Sequence, residues 1–211
     1  MKARTASLAI LLAVAVLGLF SPDARADIMY YNGMGLNQVV TLHAPGLLGD
    51  NLSVYAGQNR LNYQGQDLLG YCVDLNHYAV TADMAQEPVT SLPRGQQVAY
   101  LFDTYASQVT TSRQAAALAV AIWELVAETQ STLSATSGYF YITGNSTAAS
   151  DADALLAGLP TTYTSPSNLE VLYSNSAQCF LVDLPSVTAP EPATVSLLVL
   201  GGVALMTRRR K

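Results

Sequence analysis

Residues 113–128 read RQAAALAVAIWELVAE, and this stretch decides the fold class. Leu118, Ile122 and Leu125 recur at spacings of four and three, which places them on one face of a helix. Ala115, Ala119 and Val126 lie beside that stripe, and the small alanine side chains let a neighbouring element approach closely. Ser112 stands in the N-cap position, so the pattern predicts a helix from Arg113 to Glu128. Just upstream, from Gln96, Val98, Leu101, Phe102 and Tyr105 are also spaced for one helical face. Two helices therefore stand together in the middle of the chain.

On either side the period shortens to that of strands. Between Asn37 and Tyr78, residues Val39, Val40, Leu42, Leu52, Val54, Tyr55, Leu61 and Tyr63 alternate loosely with polar residues. Gly46, Gly49-Asp50, Gly57 and Gly65 punctuate them as turns. Residues 70–78, GYCVDLNHY, predict a buried strand with a polar end. After the helices, Gly138–Ile142 predicts a strand and Asp151–Leu159 a short helix. Leu169–Leu184 predicts a strand pair turning at Ser174-Asn175-Ser176. There is no internal repeat. The expected fold is α+β, antiparallel strands with an inserted helix pair.

The two ends read as addresses. Met1-Lys2-Ala3-Arg4 is basic, Ala6–Phe20 is apolar, and Ser21-Pro22 breaks any helix. Ala24-Arg25-Ala26 then supplies the small-x-small pattern that a signal peptidase requires. Residues 1–26 are thus expected to be a signal peptide, leaving Asp27 as the first mature residue. At the other end, Pro190-Glu191-Pro192 precedes an apolar run and the basic cluster Arg208-Arg209-Arg210-Lys211. The prolines hold the chain extended. Residues 193–207 are expected to form a single C-terminal transmembrane helix, short against the roughly 20 residues of a full span. The basic cluster keeps its end cytoplasmic, so residues 27–185 form one globular domain outside the inner membrane of a Gram-negative-type cell.

That domain carries three arginines, Arg60, Arg94 and Arg113, against thirteen acidic residues from Asp27 to Asp183. A polyanion such as nucleic acid would be repelled. No phosphate loop, nucleophile elbow or His-Glu-x-x-His motif is present, and no cofactor is expected. A metal site from Cys72, Asp74 and His77 is not expected either, because on one strand Cys72 and Asp74 face one side and His77 the other.

The tail, with Pro190-Glu191-Pro192, Ser196-Leu197-Leu198, Gly201-Gly202 and the terminal arginines, resembles the PEP-CTERM sorting signal. This resemblance covers residues 186–211. It implies recognition and cleavage by an exosortase, transient anchoring in the inner membrane, and delivery to the cell surface or an extracellular matrix. It also implies a cell that makes extracellular polysaccharide, with exopolysaccharide as a partner in a biofilm setting.

Two further segments, Tyr71-Cys72-Val73-Asp74 and Ala116–Leu125 with its Ala-Ile-Trp, resemble the thioester domains of bacterial surface proteins. The resemblance covers most of residues 27–185 in element order. It implies a Cys on a strand joined to a Gln on a facing helix, an activated acyl group open to an amine on a target surface. Cys72 matches the sulfur. Ala119 stands where the helix pattern has Gln, and alanine has no acyl carbon. Gln114 lies five residues earlier, rotated about 140° around the helix. Gln178 falls where that family often carries a glutamine in its last strand.

The expectation is therefore a non-enzymatic surface or matrix protein, structural or adhesive, with an inactive thioester-like domain. An active adhesin using Cys72 and another acyl partner is the first alternative. A periplasmic polysaccharide-acting enzyme using acids such as Asp74 and Glu124 is the second, although the spacing supports no pair. In an oxidising compartment with two cysteines, a Cys72–Cys179 disulfide is the pairing to expect if neither is used chemically. Trp123 is expected in the core.

Overall fold

The computed structural model describes residues 26–47 and 51–185. The expected signal peptide before Ala26, including Ala24, and the expected sorting tail 186–211 with its apolar run lie outside the described residues. Among the described residues no helix is long and apolar enough to cross a membrane.

The α+β class is observed, with three α-helices and one antiparallel sheet among the described residues. The strands are β1 (Asp27–His43), β2 (Leu52–Tyr63), β3 (Gln66–Cys72), β4 (Ala82–Pro88), β5 (Tyr141–Thr143), β6 (Leu169–Tyr173) and β7 (Phe180–Asp183). The helices are α1 (Gly95–Tyr105), α2 (Ser112–Ala127) and α3 (Ser146–Ala157). The sheet runs β2-β3-β7-β6-β4-β1-β5, and β1 also pairs with β2. Six strands thus close into a barrel, and β5 is added outside the ring. Closure is possible because β1 is long and irregular. It pairs with β4 at residues 27–29, with β2 from 29 to 42, and with β5 at 41–43. Register shifts on either side of Met34 bend it between these duties.

Inside the barrel lie Met29, Leu61, Tyr63, Met84, Leu172, Phe180, Val182 and Leu184. The lumen is narrow: a Cβ on Gly70 would come 2.9 Å from Leu61 Cδ1 and 3.0 Å from Val182 Cγ1. A second, larger core lies outside it, where α2 packs against β1, β2, α1 and α3. Every residue of α2 from Ala115 to Leu125 is buried, so helical periodicity located the helix but not its exposed face. Its alanines let it sit at the centre of the domain.

Several boundaries differ from expectation for local reasons. The α2 cap is Thr111, not Ser112: the Thr111 hydroxyl accepts from Gln114 N, and Gln114 Oε1 accepts from Thr111 N in return, a capping box. α3 begins at Ser146 because Asn145 caps it through Ala148 N (3.0 Å). The expected strand from Gly138 is strand only at Tyr141–Thr143, since the amides of Tyr139 and Phe140 turn to the Glu128 carboxylate. β4 was not read from the sequence, because Asp83, Gln86 and Glu87 dilute its apolar signal.

The described chain starts and finishes at one end of the barrel. Asp27 Oδ2 accepts from Gln64 Nε2 (2.6 Å), and Leu184 and Pro185 share a cavity with Tyr63, Gln64 and Gln66. Cys72 is at the opposite end of β3, about 20 Å along a strand of this length.

Candidate functional site

β3 ends at Cys72, and the chain then turns rather than extending to Tyr78. The turn is built by Asp74, whose Oδ1 accepts from Asn76 N (2.8 Å). That swings His77 back, and its Nδ1 meets Asp74 Oδ2 at 2.6 Å. The expectation that His77 faces away from Asp74 is therefore corrected, because the alternation of a strand stops where the strand stops.

Cys72 is buried, and its Sγ donates to the Asp74 carbonyl (3.1 Å). Burial pushes its thiol well above the ordinary range, and a backbone hydrogen bond at Asp74 offsets only part of this. The residue that joins it from elsewhere is Gln178. Its backbone N–H donates to Tyr78 O (3.1 Å), and its side-chain Nε2 donates to Asp74 O (3.2 Å) and His77 O (3.3 Å). The Cys72 sulfur and the Gln178 amide therefore share one acceptor. From the other side, Trp123 Nε1 donates to the Cys72 carbonyl (3.1 Å). Ala119 lies one turn before Trp123 on α2, fully buried in the same core.

Cys72, His77, Gln178 and Trp123 line one cleft of about 240 Å³, walled by Tyr31, Tyr55, Tyr78 and aliphatic side chains. Cys179 does not share it. Cys72 is paired with Phe180, and Val73 N donates to Cys179 O (3.0 Å). Directly paired residues share a face and successive residues alternate. Cys179 thus points to the other face, into a cavity that Asp74 and His77 also line with Val73, Glu87 and Tyr173, and its Sγ lies 3.9 Å from Asp74 Oδ2. Both cysteines are free, and the Cys72–Cys179 disulfide raised by the sequence is not formed. Burial pushes the Cys179 thiol up to about 11. Among the described residues, no group of three or more His, Cys, Asp and Glu is arranged to hold a metal ion.

A second polar cluster forms at the far end of α2. Glu128 is the C-cap residue, and its carboxylate accepts from Gln130 N (2.6 Å), Tyr139 N (2.7 Å) and Phe140 N (3.1 Å). Burial pushes its carboxyl up, but these amides outweigh it and hold it below the usual range. Gly138 has φ +130°, and a Cβ there would collide with Glu128 Oε2. Arg94 donates to the carbonyls of Leu125 (3.0 Å) and Glu128 (2.6 Å), orphan acceptors at the helix end, and to that of Gln130 (2.6 Å) just beyond it. Glu124 is fully buried; Oε1 accepts from Ser134 N (2.7 Å) while Oε2 has no partner. Burial raises its carboxyl to about 7. Its partners and those of Asp74 belong to separate parts of the molecule, so the two acids form no pair. Sequence reading did not foresee the Arg94 cluster; the only hint was an arginine in a domain with three.

No family model, curated protein or solved structure matches the chain.

Proposed function

We propose that this is an exported surface or matrix protein of the PEP-CTERM type, sorted by an exosortase, whose domain bonds covalently to an amine through a thioester between Cys72 and Gln178. One observation carries this reading: the Cys72 thiol and the Gln178 carboxamide converge on the Asp74 carbonyl, at 3.1 and 3.2 Å, in an open cleft. The thiol proton and the amide nitrogen leave together as ammonia as sulfur bonds to Gln178 Cδ. An incoming amine then takes the acyl group and frees the thiol. Gln178 supplies the acyl carbon that Ala119 lacks, and the Trp123 bond to Cys72 accords with the thioester-domain resemblance of α2. The cleft lies at the barrel end opposite residues 27 and 185, so a tail held in a membrane would present it outward. Its role is adhesive, in an exopolysaccharide setting.

Ala119 favours a second reading, an inert domain of the same fold with a structural role. Intact mass separates the two. The exported protein should begin at Asp27, weigh less than its sequence by one ammonia, and gain methylamine on incubation. Cys72→Ala and Gln178→Ala should each abolish both signals. Full mass and no methylamine uptake would leave the inert scaffold.

A further inference from the structure

Both halves of the chemistry just proposed need a group that moves a proton at the Cys72 sulfur. Ring closure must take the thiol proton and deliver it to departing ammonia. Capture must take a proton from the attacking amine and return one to the thiolate. In a buried site water is a poor agent for either transfer.

Few groups that line the Cys72 cleft can titrate. Tyr31, Tyr55 and Tyr78 are phenols, Cys72 is the thiol itself, and His77 is the remaining one. His77 is also the side chain whose orientation is imposed. Asp74 Oδ2 at 2.6 Å is an acceptor, so Nδ1 donates to it and Nε2 is the ring nitrogen left for the cleft. The backbone ties the same residues together: Asp74 O receives Cys72 Sγ, and Asp74 O and His77 O both receive Gln178 Nε2. A nucleophile, an acyl group and an oriented imidazole thus belong to one short turn and the residue docked on it. The His77 side chain is 37% exposed, so it can also meet a solvent-borne amine.

We infer that His77, oriented by Asp74, is the proton-transfer group of the Cys72 site. His77 Nε2 takes the thiol proton as sulfur attacks Gln178 Cδ and gives it to the leaving nitrogen, so thiol and carboxamide become thioester and ammonia. In capture, Nε2 takes the proton of the amine as it attacks the thioester carbon and gives it to the departing sulfur, so amine and thioester become amide and thiol. The other groups facing His77 from packed elements are Glu87 on β4, Tyr173 on β6 and Cys179 before β7, in the adjoining cavity, with Tyr31 on β1 and Tyr55 on β2 across the cleft.

This inference rests on the thioester reading, but it can be tested apart from it. In the Gln178→Ala protein no thioester forms, and Cys72 is a thiol whatever the wild type does. Its alkylation by iodoacetamide, located by peptide mass to distinguish it from Cys179, should rise with pH through an inflection that His77 governs. Adding His77→Gln should remove the inflection and slow alkylation at pH 7 by about tenfold or more. Asp74→Asn should give an intermediate profile, because it changes the tautomer rather than removing the ring. In otherwise wild-type protein, His77→Gln should slow methylamine capture by about a hundredfold. Identical alkylation profiles with and without His77 would overturn the inference. A wild type of full mass whose Cys72 profile still depends on His77 would overturn the thioester and leave this role standing.

Discussion

Trp123 and Glu124 are consecutive residues of α2, and they serve opposite kinds of site. Trp123 reaches the Cys72 carbonyl, where the Asp74 and His77 side chains pair with each other and Gln178 donates to the backbone carbonyls of both, beside an open cleft. Glu124 reaches the 129–140 segment, where Glu128 and Arg94 are consumed by backbone amides and carbonyls. The difference separates a polar group that holds the chain from one that is held by it. Glu128 and Arg94 satisfy groups that would otherwise be orphaned, so they are structural. His77 has one ring nitrogen held by Asp74 and a partly exposed side chain, which is what chemistry requires.

The largest effect expected from this contrast is at Glu128. Glu128→Ala supplies no replacement acceptor for three amides, those of half-buried Tyr139, buried Phe140 and exposed Gln130, and should cost about 3 kcal/mol by urea unfolding. His77→Ala, by contrast, should shift the midpoint little. Equal losses would erase the distinction.

Glu124 sharpens it through pH. Its carboxyl is raised to about 7 by burial, so between the unfolded value near 4.5 and about 7 the folded state binds the extra proton. Stability from this group is therefore full below pH 4.5 and falls as pH rises towards 7. Glu128 works in the opposite sense: its stabilisation is present above its ordinary value and is lost as pH falls through the lowered one. Glu124→Gln keeps an acceptor for Ser134 N and should gain about 2 kcal/mol at pH 8 with little change at pH 5. An unchanged difference between the two pH values would show that Glu124 is not its source.

Trp123→Phe should have the smallest effect, about 1 kcal/mol, because it removes one hydrogen bond and some ring volume. It should also slow methylamine capture by loosening the Cys72 backbone. Wild-type capture would mean that the Trp123 bond is packing alone.

Much of this was legible in the chain. The apolar spacing of Leu118, Ile122 and Leu125 located α2, glycines marked turns, and Tyr71-Cys72-Val73-Asp74 singled out the strand end where the site lies. Boundaries slipped where a side chain competed for backbone groups, as at Thr111, Asn145 and Glu128. β4 was missed because a strand with polar residues on its outer face has a weak apolar period.

The sequence by itself determined the elements whose signals lie within a few residues of one another: the helices, most of the strands and the acidic balance of the domain. Tertiary structure alone decided the barrel, in which β1 pairs with three partners, and the site, in which Gln178 meets Asp74 from 104 residues away. Local periodicity records which face of an element is apolar. It does not record which distant edge that element will pair with, because strand pairing is chosen by the closure of the whole sheet.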